Sequence, residues 1–145
     1  MRVEIKLTGK SNETLNRLKN INAKQSIDTA FNKSGATIRK TARNLMLKTP
    51  KTGRAYNING KIHIASSPLN APAVLTGKLL NSTEFVAGSG NLEIGYTAKY
   101  GKYLELGTKK MAKRPALLPA ITTHIKTIER NLVREFNNEL KKCKR

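Results

Sequence analysis

Four cationic side chains fall within six residues in the last third of the sequence: Lys109, Lys110, Lys113 and Arg114. Cations at this density suit the phosphate groups of a nucleic acid, because phosphate contacts give affinity without reading the base sequence. We expect a mobile basic loop over 109–114, within the segment 107–114 between two predicted helices. Neither aromatic stacking platforms nor a base-reading helix is evident in the sequence, so any DNA contact is expected to be nonspecific.

Two further groups of cations lie on predicted helices. Lys126, Arg130 and Arg134 follow at i, i+4 and i+8 and form one stripe with Lys141, whereas Lys33, Lys40 and Arg43 lie off the apolar face of an earlier helix. Like charges at this spacing cost helix stability unless an anion neutralises them. These residues and the basic loop are the candidate DNA-facing set, and a solvated helix face remains the alternative reading of the stripe.

Residues suited to catalysis or metal binding are few. The chain has one Asp and eight Glu, scattered, and its two histidines, His63 and His124, lie on different predicted elements. One cysteine and two histidines do not make a zinc site, and nothing in the sequence places Asp28 near either histidine for a nucleophilic triad. We therefore expect no catalytic, cofactor-binding or metal-binding residues. A small basic nuclease or toxin would need such a set.

Two glycine-containing strings resemble nucleotide-binding motifs only superficially. Leu75-Thr76-Gly77-Lys78 lacks the upstream glycine and the following Ser or Thr of a phosphate-binding loop. The string at 88–90 has two glycines but lacks the strand–helix context of a dinucleotide site. Neither string predicts a nucleotide site.

Net charge is the strongest compositional signal. The 145 residues include 28 Lys+Arg against 9 Asp+Glu, for a formal charge of +19 at pH 7. The excess falls in 1–50 and 101–145, while 51–100 is nearly neutral. Self-repulsion at this charge opposes a compact state, so a polyanionic partner is expected. The single cysteine, Cys143, excludes an intrachain disulfide, and we expect no signal peptide and no membrane span.

Hydrophobic periodicity predicts the elements that position these residues. Val3, Ile5 and Leu7 alternate with charged residues and predict a strand ending at Gly9, after which Ser11 begins a short helix with Leu15, Leu18 and Ile21 on one side. A helix over 23–47 has Ile27, Phe31, Ile38, Ala42 and Leu45 on its apolar face, with Gly35 inside it as a cost or as a point of close backbone approach.

The middle of the chain reads as an extended loop over 51–75 with one strand, Lys61–Ile64. Thr76 is a candidate cap for a short turn of helix through Leu80. The runs 83–87 and 91–96 flank Gly88-Ser89-Gly90 and predict a hairpin.

A short helix over 98–106 then ends at Gly107, and a long amphipathic helix begins near Pro119. Its predicted apolar face comprises Leu118, Ile121, Ile125, Ile128, Leu132, Phe136 and Leu140. We expect one domain over 1–145, with a basic tail at 141–145. The predicted fold class is α+β, a small mostly antiparallel sheet packed against a central helix and the long C-terminal helix.

The residues around the basic loop resemble a known family. The stretch 100–108 reads Tyr-Gly-Lys-Tyr-Leu-Glu-Leu-Gly-Thr, and Met111, Arg114-Pro115 and Leu118-Pro119-Ala120 follow. This pattern resembles the siphophage neck proteins of the gene-ten-like head–tail connector, tail-completion or minor tail family. Leu106, Lys113 and Ala116 depart from it, since an aromatic, Ala and Phe are usual there. The motif residues are Tyr100, Tyr103, Glu105, Gly107, Thr108, Met111, Arg114 and Pro115.

Each motif residue also has a physical interpretation. Tyr100, Tyr103 and Leu104 would offer one side of a short helix to the sheet, and Gly107 would permit a left-handed turn. Thr108 would bond locally in the loop. We expect an ion pair between Glu105 and Arg114 to hold this loop, and two unrelated surface charges are the alternative.

The resemblance implies a non-enzymatic bacteriophage virion protein. Its expected partners are itself, in a ring with a hexamer favoured, neighbouring neck and tail proteins, and packaged double-stranded DNA. Its expected location is the neck of the virion, with the host cytoplasm during virus assembly. The loop over 51–75 is the candidate for docking a neighbouring ring. The rival interpretation is a nonspecific nucleic-acid-binding basic protein of chromosomal or ribosomal type.

Overall fold

The structure, a computed structural model, describes residues 1–6 and 23–143. The predicted short helix after Ser11, with Leu15, Leu18 and Ile21, lies outside the described residues, as do 144–145 of the predicted basic tail.

Nine elements follow one another in the described part of the chain. They are β1 (Arg2–Lys6), α1 (Ala23–Lys48), β2 (Ala55–Ile58), β3 (Lys61–Ile64), α2 (Lys78–Asn81), β4 (Thr83–Gly88), β5 (Asn91–Tyr96), α3 (Gly101–Leu106) and α4 (Leu117–Cys143). The strands form a three-stranded sheet of order β1-β5-β4 and a separate two-stranded sheet, β2-β3. Both sheets are antiparallel and the larger one packs against helices, which confirms the predicted α+β class.

A tight two-residue turn connects the strands in each of the two hairpins, β2–β3 and β4–β5. In β4–β5, Ser89 and Gly90 both have positive φ, 53° and 78°, as a type I′ turn requires, and the predicted hairpin is confirmed. The strand predicted at Lys61–Ile64 is confirmed as β3, but the prediction that the rest of 51–75 is an extended loop is wrong, because β2 pairs with β3 around Asn59 and Gly60, whose φ angles are 50° and 78°. Asn-Gly is a strong hairpin signal, and its significance was missed.

Helix α1 matches its predicted bounds within one residue and buries Phe31, Ile38 and Ala42. At its C-terminal end, however, Met46 is buried and Leu45 is exposed. The two residues lie at the edge of the apolar face of α1, and other side chains cover the helix at Met46 but not at Leu45.

Gly35 of α1 allows side chains, rather than a second backbone, to approach. A Cβ atom at this position would lie 2.9 Å from Leu92 Cδ1 and closer still to the ring of Phe85. The glycine therefore admits two side chains of the β4–β5 hairpin to the helix surface.

Helix α4 begins at Leu117, two residues before the predicted start, and its buried face differs from the predicted one. Leu117, Ile121 and Ile128 are buried, whereas Leu118 and Ile125 are exposed. At about 100° per residue the two exposed residues lie roughly 60–80° from the centre of the buried face. Beyond Ile128 the apolar residues drift farther round the helix: Leu132, Phe136 and Leu140 are half-buried and Val133 is exposed.

The described chain divides into two compact units, each drawn from separate stretches. The first comprises Met1, Ile38–Glu84 and Gly95–Thr123, and the second Arg2–Thr37, Phe85–Ile94 and His124–Arg145. The first buries Ile38, Ala42, Met46, Ala71, Leu79, Tyr96, Ala116, Leu117, Ala120 and Ile121, and the second Ala23, Ala30, Phe31, Leu92, Ile94 and Ile128. One domain over 1–145 stays a prediction.

Candidate functional site

Glu105, in the middle of the sequence motif, is the polar centre of the first unit. It lies on α3 and is only 3% exposed. Its Oε1 accepts hydrogen bonds from the Tyr96 hydroxyl at 2.9 Å and from the backbone N–H groups of Ala116 at 2.7 Å and Leu117 at 2.8 Å. Its Oε2 accepts a longer bond, 3.4 Å, from the N–H of Leu118.

These bonds make Glu105 the cap of α4, supplied from another helix. The first N–H groups of any helix lack partners within it, and a carboxylate there also meets the positive end of the helix dipole. Pro119, the next residue after the three donors, has no N–H to satisfy. The early start of α4 therefore has a physical reason, because Glu105 satisfies the amides that precede the proline.

Tyr96, which the sequence analysis did not single out, completes this cluster. Burial raises the pKa of its phenol well above the usual value, and the negative charge of Glu105 and their hydrogen bond raise it further. Gly101 lets α3 approach closely, because a Cβ there would lie 2.7 Å from Tyr96 Cγ. The sequence signal that could have identified Tyr96 is its position at the end of the predicted strand over 91–96.

Two expectations about the motif are wrong. Tyr100 and Tyr103 are exposed, and Glu105 is the side chain that α3 buries. Arg114 does not pair with Glu105. Its Nε donates to the Ser66 carbonyl at 3.1 Å, and its backbone N–H donates to the Leu104 carbonyl at 2.6 Å. Sequence spacing brought the two charges near each other but could not show that both would find backbone partners.

Arg114 nevertheless helps to hold the basic loop in place. Next to it, the Lys113 carbonyl accepts a hydrogen bond from the N–H of Leu69 at 2.9 Å. Arg114 and Lys113 thus tie one end of the loop to the segment that carries Ser66 and Leu69. Because this segment directly follows β3, these hydrogen bonds connect the basic loop to the chain that leaves the β2–β3 hairpin.

The basic loop is a closed turn. The N–H of Thr108 donates to the Met111 carbonyl at 2.8 Å, and the N–H of Met111 donates to the Thr108 carbonyl at 3.2 Å. The Thr108 hydroxyl also accepts from the N–H of Lys110 at 3.3 Å, which confirms local bonding by this residue. Gly107 ends α3 with φ 78° and ψ 179°, a glycine conformation but not the predicted left-handed one.

The candidate DNA-facing cations of the first unit fall into two groups. Lys40, Lys109, Lys110 and Lys113 are exposed. Arg43, by contrast, donates to the Leu80 carbonyl at 2.9 Å and, like Arg114, serves the local structure. Three exposed lysines are therefore brought together on the basic loop.

The cations of the second unit lie on α1 and α4. Lys33 pairs with Glu135 at 2.7 Å, and this hydrogen bond is the main reason that the pKa of Glu135 is lowered. Arg134 lies 3.5 Å from the same carboxylate. The predicted stripe of Lys126, Arg130, Arg134 and Lys141 is exposed along α4, and its surface also includes Glu129, Val133, Asn137 and Asn138.

An open groove of about 330 Å³ also belongs to the first unit. Its lining is mostly apolar and includes Met46, Val74, Leu75, Leu79 and Leu104, and its polar members include His63, Ser66 and the two cations Lys78 and Arg114. The Ser66 hydroxyl is the one buried side-chain polar atom in the described chain without a hydrogen-bond partner. The groove has no charged pair and no clustered nucleophile.

Within 1–6 and 23–143, no three His, Cys, Asp or Glu side chains lie together as a metal site. His63 belongs to the first unit and His124 to the second. In the same described ranges, no helix combines the length and apolar character needed to cross a membrane. Comparisons with protein-family models, with curated proteins and with solved structures find no match to this chain.

Proposed function

We propose that this chain is a structural subunit of a tailed-phage neck, a head–tail connector or tail-completion protein whose copies form a ring around the DNA channel. One observation carries the proposal: the first unit has two contrasting surfaces. Lysines cluster on a loop held by hydrogen bonds, whereas residues 55–77 have one charged residue, Lys61, and expose large apolar side chains. Such a subunit suits an assembly that contacts protein on one surface and a polyanion on another.

The construction of the loop fits a fixed electrostatic contact. Hydrogen bonds of Glu105 and Arg114 anchor the backbone on either side of the basic loop. The loop that carries the lysines is therefore already ordered before DNA binds. A ring of six copies, the number we favour, would bring on the order of 100 positive charges near a duplex with one negative charge per ~1.7 Å. The tyrosine-to-proline motif gives the resemblance to neck proteins, and the large positive charge fits a place beside packaged genome.

The decisive experiment uses the phage that encodes the chain. Particles made without this protein should accumulate as unjoined filled heads and tails, and addition of the purified protein should restore joining and infectivity. Immunogold labelling should place the protein at the head–tail junction. Complete particles made without the protein, or labelling elsewhere in the virion, would overturn the proposal.

The same exposed cations suit a free nucleic-acid-binding protein, so the test must separate the two functions. A free protein would bind duplex DNA or RNA as a monomer or dimer, with affinity falling steeply as salt rises. It would have no effect on the joining of heads to tails.

A further inference from the structure

Ser66 carries a buried hydroxyl group that has no hydrogen-bond partner in the described chain. The residue is 1% exposed, and it lines the open groove of the first unit. Buried hydroxyl groups are almost always paired in folded proteins, because an unpaired one has lost its water without a hydrogen bond in exchange. The groove therefore contains a polar group that suits a partner supplied from outside the chain.

Arg114 lies beside this hydroxyl group. Its Nε donates to the Ser66 carbonyl at 3.1 Å, so the guanidinium is held against the same residue that carries the unpaired hydroxyl. Its two terminal nitrogens have no side-chain or backbone acceptor among the residues that the structure describes, and Arg114 also lines the groove. A guanidinium presents its N–H groups in a planar fork that matches a carboxylate. Ser66 and Arg114 thus offer adjacent donors for a carboxylate.

The rest of the groove is apolar or cationic. Its volume of about 330 Å³ accommodates one or two aliphatic side chains, and Val74, Leu75 and Leu79 supply apolar lining. Lys78 adds a second cation, and no Asp or Glu of the described chain belongs to the lining. The whole stretch 29–83 has no acidic residue. A carboxylate in the groove is therefore attracted by two cations and meets no acid beside it.

The mouth of the groove indicates how large the occupant is. Leu75 is 53% exposed and Tyr100 is 42% exposed, although both line the groove. A small aliphatic acid that filled the groove would leave these side chains in water. A polypeptide segment that crosses the mouth covers them as well, and burial of such apolar side chains is typical of protein interfaces. The groove therefore suits a segment of a protein better than a free small molecule.

The charges select which protein supplies that segment. A second copy of this chain, itself at +19, is repelled by Lys78, by Arg114 and by the molecule as a whole. An acidic protein is attracted from a distance. At the groove it gains an apolar contact and a paired carboxylate together, whereas at the exposed lysines of the basic loop it gains a screened charge contact alone.

We infer that the groove binds a segment of an acidic partner protein in which an Asp or Glu side chain lies next to aliphatic residues. The Ser66 hydroxyl and the Arg114 guanidinium hold the carboxylate, and the aliphatic side chains pack against Leu75 and Leu79. The inference deepens the proposed function, on which it rests for the partner being a neighbouring neck or tail protein. Binding to the groove itself is measured without that assignment.

Isothermal titration calorimetry with synthetic peptides tests the site. The probe is a short peptide of Gly and Ser residues, blocked at both ends, with Leu-Leu-Glu at its centre; a Glu-Leu-Leu peptide covers the opposite chain direction. Physiological salt weakens nonspecific attraction to the basic chain. One of the two orders should bind about 10-fold more tightly than the same peptide with Gln for Glu, and about 10-fold more tightly than the same peptide with Ser for both leucines.

Ser66→Ala separates binding from folding. Because the hydroxyl group has no partner to lose, this change should leave the thermal melting temperature unchanged or raise it, yet weaken peptide binding about 5-fold. Ser67→Ala, at the neighbouring serine outside the lining, is the matched control and should leave peptide binding unchanged. Leu75→Ser should weaken binding about 10-fold, whereas Leu69→Ser, at an exposed leucine of the same unit outside the lining, should not.

Several results overturn the inference. Equal affinity for the Glu and Gln peptides excludes the carboxylate site, and binding that Ser66→Ala and Leu75→Ser leave intact excludes the groove. Absence of binding by both orders at millimolar concentration excludes the acidic segment altogether. Tighter binding of a peptide that ends in Leu-Leu with a free carboxylate assigns the site to a chain terminus instead. Self-association in sedimentation velocity that Ser66→Ala and Leu75→Ser abolish assigns the groove to a second copy.

These failures are separate from failure of the proposed function. A chain that joins heads to tails but binds none of the peptides would sink the inference alone. Groove-dependent peptide binding by a chain absent from the neck would sink the proposed function alone.

Discussion

Replacing Glu105 with glutamine changes the centre of the first unit by little more than a charge. The side chain keeps its size, and the amide oxygen can take the place of Oε1. That oxygen would still accept from the Tyr96 hydroxyl and from the N–H groups of Ala116 and Leu117. The NH₂ group, however, would then face the N–H of Leu118, so that a weak bond becomes a repulsion between donors.

The expected cost follows from the number of bonds that change character. Hydrogen bonds to a charged group contribute about 1.5–3 kcal/mol and neutral ones about 0.5–1.5 kcal/mol, so three conversions lose roughly 3 kcal/mol. Burying a neutral amide costs less than burying a carboxylate, which returns part of this. We expect Glu105→Gln to lower the free energy of unfolding by about 2 kcal/mol.

Glu105→Ala should cost about 4 kcal/mol or more, because it leaves buried N–H groups and the Tyr96 hydroxyl without an acceptor. Ordinary domains unfold with about 5–15 kcal/mol, so this loss is most of the stability of a domain at the low end, and the glutamine variant is the cleaner measurement. Urea denaturation followed by circular dichroism gives the free energy. In Glu105→Gln, hydrogen exchange at the amides of Ala116 and Leu117 should also be faster than in the wild type.

Glu129→Gln is the control, because it removes the same charge from an exposed position on α4 and should change stability by no more than about 0.5 kcal/mol. If Glu105→Gln costs no more than this control, capping of α4 by the carboxylate is refuted. If it costs 2 kcal/mol but leaves exchange at the first turn of α4 unchanged, Glu105 stabilises the protein by some other contact.

Three further predictions concern other parts of the structure. The pKa of Tyr96 is raised, so its contribution to stability is complete below about pH 10, which is the pKa of tyrosine in an unfolded chain. This contribution is lost as the pH rises above that value. Tyr96→Phe should remove the alkaline loss of stability, measured by urea titrations at several pH values. Gly35→Ala should destabilise by about 1–3 kcal/mol in chemical denaturation despite better helix propensity, whereas Gly88→Ala, with open space around it, should not. Changing the three lysines of the basic loop (109–114) to glutamine should reduce the slope of log affinity for duplex DNA against log salt by about 2–3, and an unchanged slope would exclude the loop from DNA contact.

Much of the fold could be predicted because the signals are local. The bounds of α1 and the β4–β5 hairpin follow from hydrophobic period and from glycine in a tight turn. Asn59-Gly60 carried the same kind of signal for β2–β3, but apolar residues on both faces of that hairpin blur the alternation by which strands are recognised.

The cluster around Glu105 could not be predicted from spacing. Its partners lie 9 to 13 residues away along the chain, at the end of β5 and at the start of α4, and three of the four donors are backbone groups, which every residue type supplies. Sequence reasoning paired Glu105 with Arg114 because it could compare side chains only. A buried carboxylate can be satisfied equally well by helix N–H groups, and only the fold decides which donors come within reach.

The polar end of the α1–α4 contact in the second unit shows how the fold accommodates its charge. Glu135 lies at the centre of the face that α4 buries farther up the helix, yet it pairs with Lys33, and Asn131 donates to the Ser34 hydroxyl at 3.0 Å. The apolar residues of α4 drift away from this face, so the helices meet there through hydrogen bonds and an ion pair. A chain with 28 cations and 9 acids thus uses a scarce carboxylate to join two helices, and the stripe on α4 has fewer anions than cations beside it, since Arg134 shares Glu135 with Lys33. The imbalance is therefore concentrated on exposed surfaces, where a polyanion could relieve it without any change in the core.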